Sequence, residues 1–496
     1  MRHMTKHFIP ATCATVLTFT ASGQMSDRLM LDAGSAPLAV TPPAHATDVQ
    51  RCTVNFDLID ELREGDLFWI TMSGGDLLAS VSRIEETADG DRNIAGTFDG
   101  MQGSSFLLAR VDDAVAGWFF IPGMHETMRL RYGGPNGLHY THRINQADMP
   151  NCPGAIKSDK GHDTTDIMKP VRLEDLPDRG DQGAGPLSGG CQPEDYLAFD
   201  IAVFYTDDAR RAAGSTAAIQ AEAAASVALT RETYARGYPF IDVIVPRLVH
   251  RSEINYAETN DTEEDLDNLI AGTAGLQATH TIRDQVAADF VVLLTDTDDE
   301  CGLAPCLSDE DTAFSIVIWD CAVDNVAFPH EIGHNLGCDH DEDEGEGTGC
   351  YADWGLGRYF FVPAENMWRN TIMSYDNGIA ADIPYYTHPQ IQYMGVNTGD
   401  SGHDNVSVIF NRRVYCSGFR HTKMDVWVQF SYAGSENGSF RQPFNTMAEG
   451  VNRILQQPGM SHLPHLRVKA GSRAETITIS KPMFIEACGG TVTIGR

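Results

Sequence analysis

Eleven residues, HEIGHNLGCDH at 330–340, constrain this 496-residue chain more than any other stretch. His330 and His334 stand four apart, so in a helix both lie on one face and can reach one metal ion. Glu331 follows the first histidine and projects beside that face, where a carboxylate can take a proton from a metal-held water. Pro329 suits the start of a helix, where its missing N–H would be unpaired in any case. Gly337 lets the chain leave the helix in a left-handed conformation that other residues resist. The turn then brings His340 back as a third ligand. The spacing predicts a three-histidine zinc site with an open fourth position, on a helix entered directly from the strand AFSIVIW.

The charge balance narrows the partners. Acidic residues number 69 and basic residues 36, a difference of 33 negative charges. Such a field repels nucleic acid and anionic membranes. No stretch approaches the roughly 20 apolar residues that span a bilayer. At the N-terminus, Arg2 and Lys6 give a basic start, ATCATVLTFTA an apolar run, and ASG a small-residue cleavage site. Residues 1–24 are therefore read as a signal peptide, with a frayed terminus as the plainer alternative. Eleven cysteines are present, and ten remain without Cys13. An even count without a C-x-x-C pair suits disulfides in an oxidising compartment, and hence a secreted protein.

The rest of the chain divides by rhythm. Residues 52–145 read as short strands, from CTVNFDLI to MRLRYG, separated by glycine, aspartate and asparagine clusters. From Pro150 to Gly190 the composition turns to Pro, Gly, Asp and Lys without periodicity, which reads as an exposed linker. After Cys191 strands alternate with helices: YLAFDIAVFYT, an alanine-rich helix from Thr216, FIDVIVPRLV, two helices between Leu266 and Ala287, and DFVVLLTDT. That alternation indicates an α/β domain. The tail from 421 carries a short helix, PFNTMAEGVNRIL, then β-alternation with glycine corners in ETITISKPMFIEACGGTVTIG, resembling one coil of a right-handed β-helix.

HEIGHNLGCDH is similar to the long zinc signature of the metzincins, zinc endopeptidases with a methionine turn beneath the metal. TIMSY at 371–375 resembles that turn, which would put Met373 under the site. Asp341 directly after the third histidine resembles the adamalysin or reprolysin branch, and CGLAP, THPQIQYMG and HDNVSVI resemble its secreted bacterial members. The resemblance covers about 191–420 and, more weakly, the β-rich region before it, which looks like a propeptide. It implies an α/β (α+β) catalytic domain at 191–420, a β-rich prodomain and linker at 25–190, and a small β-rich module at 421–496. It also implies one catalytic Zn2+ on His330, His334 and His340, Glu331 as general base, and peptide bonds of protein substrates as the target. The substrate would lie extended along an edge strand near Cys301 to Pro305.

Other residues carry open alternatives. Tyr375, two positions after Met373, matches the astacin and serralysin pattern rather than the adamalysin one. It is either an oxyanion stabiliser or a tyrosine packed under the site. Cys152, in MPNCPG, is similar to the cysteine switch of other metzincins, with a thiolate in the fourth zinc position. A disulfide, with Cys52 for example, is the competing reading, and Cys191 is a second switch candidate. The acidic run DHDEDEGEG reads as a solvated loop, with a Ca2+ site kept open although no twelve-residue calcium loop is present. Selection of basic substrate residues is a further option for that run. An active secreted endopeptidase made as a latent precursor is the first functional reading; an inactive relative that binds or adheres is the second.

Overall fold

The structure is a computed structural model. It describes residues 27–495 apart from 73–74, 88–89, 125–126, 146–147, 150–155, 158–168, 177–196, 297–299, 342–349, 375–379, 421–422 and 457–462. The segment read as a signal peptide, Cys152, Cys191, Tyr375 and most of the acidic run lie outside the described residues.

Apolar runs punctuated by turn residues give the N-terminal region nine strands. They are β1 (Met30–Asp32), β2 (Ala46–Val54), β3 (Leu67–Met72), β4 (Gly75–Glu86), β5 (Arg92–Phe98), β6 (Ser105–Val111), β7 (Ala114–Phe120), β8 (Met128–Gly134) and β9 (Leu138–Ile144). They form one antiparallel sheet in the order β1-β2-β9-β8-β7-β6-β5-β4-β3. Its two edges meet where Leu29 N donates to Trp69 O at 2.9 Å, so the sheet curls around a core of Phe68, Ile70, Ile94, Phe106, Leu108 and Leu130. CTVNFDLI is only partly strand. Asn55 Oδ1 accepts from Leu58 N at 3.1 Å and caps a helix, α1 (Phe56–Glu61), after β2 ends.

β6 and β7 are buried on both faces. Phe106, Leu108, Val115 and Phe119 point into the N-terminal core, while Leu107, Ala109, Ala116, Trp118 and Phe120 join the core of the following domain. That domain begins with β11 (Leu197–Tyr205), α2 (Asp207–Ala213), α3 (Thr216–Arg236) and β12 (Ile244–Glu253). Ahead of it, β10 (Ile156–Lys157) lies within the expected linker. The FIDV start of the expected second strand is instead a turn, since Phe240 N and Ile241 N both donate to Gly237 O. Next come α4 (Thr262–Ala271), α5 (Gln277–Val286), β13 (Phe290–Thr295), β14 (Gly302–Leu303), β15 (Pro305–Cys306) and β16 (Phe314–Ile318). The sheet order is β12-β11-β13-β16-β14, parallel except for the antiparallel edge strand β14. α2 and α3 between β11 and β12, and α4 and α5 between β12 and β13, are crossover helices of the kind such a sheet requires, while β13 reaches β16 through the segment that carries β14 and β15.

α3 explains how the two domains meet. Ser215 caps it, and 14 of its 21 residues are buried, on all sides rather than along one stripe. A helix hydrophobic all round needs cover all round. α3 gets it from its own sheet on one side and from β6 and β7 on the other, in one continuous core.

The expected exposed linker is in part anchored. Val171 is buried, its N–H donates to Ser407 Oγ at 2.8 Å, and Arg172 pairs with Asp404 at 2.7 Å. β10 pairs in parallel with β15, Ile156 opposite Pro305 and Lys157 opposite Cys306.

Beyond the sheet lie α6 (Cys321–Asp324), α7 (Ala327–Leu336), the small strands β17 (Tyr359–Val362), β18 (Met367–Asn370), β19 (Ala381–Asp382), β20 (Gln392–Tyr393) and β21 (Val396–Asn397), and α8 (Asn405–Cys416). The tail holds β22 (Asp425–Val428), α9 (Met447–Arg453), β23 (His465–Arg473) and β24 (Phe484–Ile494), the strands parallel in the order β22-β23-β24. One parallel coil is thus present. ETITIS adds no strand to it, because the Glu475 carboxylate turns to accept from Met447 N and Ala448 N at the start of α9.

Two disulfides occur among the described residues, Cys301–Cys321 and Cys306–Cys350. The even-count expectation fails elsewhere: Cys52, Cys338 and Cys416 are buried free thiols, so Cys52 does not pair with Cys152. Burial pushes the Cys52 thiol up to about 12. Among the described residues no helix is long and apolar enough to cross a membrane.

Candidate active site

The histidine-bearing helix α7 is buried from end to end. It starts at Ala327, so Pro329 falls within the first turn, where no intrahelical donor is lost. Gly337 ends it at φ 103°, the left-handed value expected of that position. The turn carries His340 back over the helix. The three Nε2 atoms converge, at 2.9 Å between His330 and His334, 2.9 Å between His330 and His340, and 3.1 Å between His334 and His340.

Two of the rings are oriented from behind. His330 Nδ1 donates to Ile372 O at 2.7 Å, and His334 Nδ1 to Cys338 O at 2.9 Å. A carbonyl can only accept, so each Nδ1 carries the proton and each Nε2 presents its lone pair to the others. Burial lowers all three histidines, His334 to about 4 and the other two well below the usual range. Neutral nitrogens converging at such distances repel unless a cation lies among them, so this donor set fits Zn2+. A second group, Cys306, His334 and Cys350, has metal-ligand spacing too, but its two sulfurs are joined in a disulfide. No carboxylate cluster of that spacing occurs among the described residues, so Ca2+ finds no support.

Glu331 is 1% exposed and faces the edge strand. A β-carbon on Gly302 would stand 2.7 Å from its Oε1, so β14 and the carboxylate are in direct contact and any larger residue there would push the Glu331 side chain aside. The expected edge strand is therefore β14, in the predicted stretch and beside the predicted base. Two links hold this arrangement. Cys301–Cys321 ties the residue before β14 to α6, just ahead of α7. Leu307 N donates to His334 O and Ser308 N to Asn335 O, both at 2.9 Å, fixing the segment after β15 to the end of α7.

Met373 lies beneath the helix. A β-carbon on Gly333 would come within 2.6 Å of its sulfur, and one on Gly357 within 2.0 Å of its carbonyl oxygen. Ser374 Oγ donates to Asp341 Oδ2 at 2.7 Å, tying the residue after His340 to the turn after Met373. The structure thus brings together His330, Glu331, His334, His340, Gly337, Asp341 and Met373. Tyr375 and Cys152 are outside the described residues. Sequence reasoning missed Gly302, Gly333 and Ser374. The two glycines stood within motifs already singled out, and their lack of a side chain was the available signal.

Residues 197–402 match the family described as Metallo-peptidase family M12B Reprolysin-like. Two curated relatives from Stenotrophomonas maltophilia, strains K279a and R551-3, are each named Peptidyl-Asp metalloendopeptidase. Both are 36% identical over 170 residues, 34% of this chain and 40% of theirs. The chain thus spans about 40% of the length of these two relatives. A relative of the same name from Xanthomonas campestris pv. campestris is 28% identical over 406 residues, 81% of this chain and 86% of its own. A solved metalloproteinase from Bacteroides fragilis is matched at 9% identity over 58% of this chain and 85% of its own, with a TM-score of 0.34, too distant to carry an argument. The histidine helix, the methionine beneath it and the edge strand all fall inside the matched span, so the part of the chain that carries the site is the part similar to the reprolysin-like metallopeptidases.

Proposed function

We propose that this chain is a zinc-dependent endopeptidase, in which His330, His334 and His340 hold the metal and Glu331 is the general base. What supports the reading above all is the convergence of three buried imidazole nitrogens beside a buried carboxylate that touches an edge strand. Zinc, when bound, would polarise the scissile carbonyl and bring the pKa of water to about 7. Glu331 receives the proton of the attacking water and delivers it to the leaving amine nitrogen. β14 takes the substrate as an added extended strand, its backbone groups supplying the hydrogen bonds. Tyr375 is proposed to donate to the developing oxyanion. The shared name of the three relatives extends the proposal to substrates recognised at aspartate.

The precursor is proposed to be secreted and latent. β10 runs along β15, immediately beyond the edge strand, and Cys152 stands four positions before Ile156. The linker covers the cleft edge, with Cys152 as the thiolate switch. The test is digestion of an aspartate-scanning peptide set by the linker-cut chain. Cleavage that a zinc chelator stops and added zinc restores is expected, and a metal-loaded, folded chain that cleaves nothing overturns the reading. For latency, Cys152→Ala in the uncut chain should show activity, and a silent variant returns Cys152 to a structural role.

A further inference from the structure

The contact between the N-terminal sheet and the following domain is built like the interior of one domain. β6 and β7 give up one face to it, and that face covers α3 on one side. Charges sit in the middle of this apolar contact. Arg129, on β8, donates from Nε to Asp324 Oδ1 at 2.5 Å and from Nη2 to Glu222 Oε2 at 2.6 Å. Arg131, two positions on, reaches Asp324 Oδ1 at 2.8 Å and lies over the Trp319 ring at 4.5 Å. His45 Nε2 contacts Asp324 Oδ2 at 2.8 Å. None of the charged side chains is more than 4% exposed. Burial would raise the Asp324 carboxyl, yet Arg131 and Arg129 hold it well below the usual range.

Both arginines come from the N-terminal sheet, and both carboxylates from the later domain, Glu222 on α3 and Asp324 on α6. Separation would break these charge-assisted hydrogen bonds and would expose a large apolar face, the alanine-rich side of α3 with Trp118 and Phe120 opposite it, to water. A shed prosegment is ordinarily held by a surface that solvates well when freed. This one is not.

We propose that residues 27–149 form a permanent subunit: after the linker is cut, the N-terminal sheet stays bound to 197–496 as a noncovalent partner, locked by Arg129 and Arg131 on Glu222 and Asp324. Cutting on both sides of the 156–176 segment then separates β10 from the sheet's chain and leaves the sheet in place. The inference rests on the packing and not on the proteolytic reading, and its test reads association rather than turnover.

Sites for a specific protease are inserted at 150–155 and at 181–190 of the full chain, so that cutting at both severs the anchored 156–176 segment from both fragments. The product is run on a sizing column at neutral pH, each fraction being resolved on a denaturing gel. Both fragments in one peak are expected, down to submicromolar loading. Elution of the 197–496 fragment free of the N-terminal fragment overturns the proposal. Arg129→Met with Arg131→Met, cut in the same way, should separate, with at least a hundredfold weaker association by dilution. Retention of both fragments in that variant overturns the charge lock. If the double variant fails to fold uncut, Arg129→Lys, which keeps the charge and loses the two-pronged geometry, replaces it with an expected weakening of about tenfold.

Discussion

The backbone of Gly302 lies against the carboxylate of Glu331, so close that a β-carbon would stand 2.7 Å from Oε1 and 2.9 Å from Cγ. The edge strand and the proposed general base therefore set each other's position. Gly302→Ala should displace Glu331 without touching a metal ligand. Turnover should fall by about a hundredfold, the cost of an ångström-scale misplacement. Zinc content, measured by atomic absorption, should be unchanged. A variant with wild-type kcat/KM would show that the contact does not position the base.

Glu331→Gln preserves shape and removes the proton acceptor. It should retain zinc and thermal stability while losing roughly 100- to 10,000-fold in turnover. His340→Ala should do the opposite in kind, losing metal first, with a weaker dissociation constant in a competitive chelator titration. Near-normal proteolysis by metal-loaded Glu331→Gln would end the assigned mechanism.

Ser374 Oγ donates to Asp341 Oδ2 and so joins the turn after Met373 to the chain just beyond His340. Both residues are buried, so Ser374→Ala deprives a desolvated carboxylate of a donor. The expected cost is about 1–3 kcal/mol, read as a lower thermal midpoint of the zinc-loaded protein. An unchanged midpoint would mean that this bond adds nothing to the turn.

How much of this was legible beforehand varied with the range of the interaction. The 3.6-residue period and a glycine stop suffice for the histidine helix, so the three ligand positions and Glu331 follow from local rules. The edge strand at Gly302 was placed by resemblance alone, since two residues between a cysteine and Ala304 carry no readable period. The double burial of α3 was not read, because an alanine-rich helix shows no stripe to say which side is covered. SFLLARV and AVAGWFF did carry a hint, being apolar on both alternating sets, as strands buried on two faces are. Glu222 and Asp324 gave no signal at all. Their arginine partners lie 93 and 195 positions away. Disulfide pairing failed for the same reason, since a cysteine count does not say which thiols the fold brings together.

Acid should loosen the tail. Burial alone would raise the Asp425 carboxyl, but Arg247 and Arg467 prevail and hold it below the usual range. A folded value below the unfolded value of about 3.9 means that Asp425 adds stability above that pH and loses it as pH falls through the folded value. Thermal melts at about pH 7 and pH 3 should show a midpoint gap between wild type and Asp425→Asn that shrinks on acidification. A gap that stays constant would sink the assignment. Arg247 belongs to β12 and Asp425 to β22, so the loss should appear first in the junction between sheet and tail.

β14 is only two residues long, and Pro305 soon follows with no N–H to offer. An open sheet edge is ordinarily an invitation to a second copy of the chain, and a long flat one invites fibres. Here the invitation is brief. One extended peptide can find a few backbone partners, whereas a neighbouring sheet cannot find enough to stay. The same shortness that limits how much a substrate gains from its main chain also keeps a crowded, concentrated protein from pairing with itself.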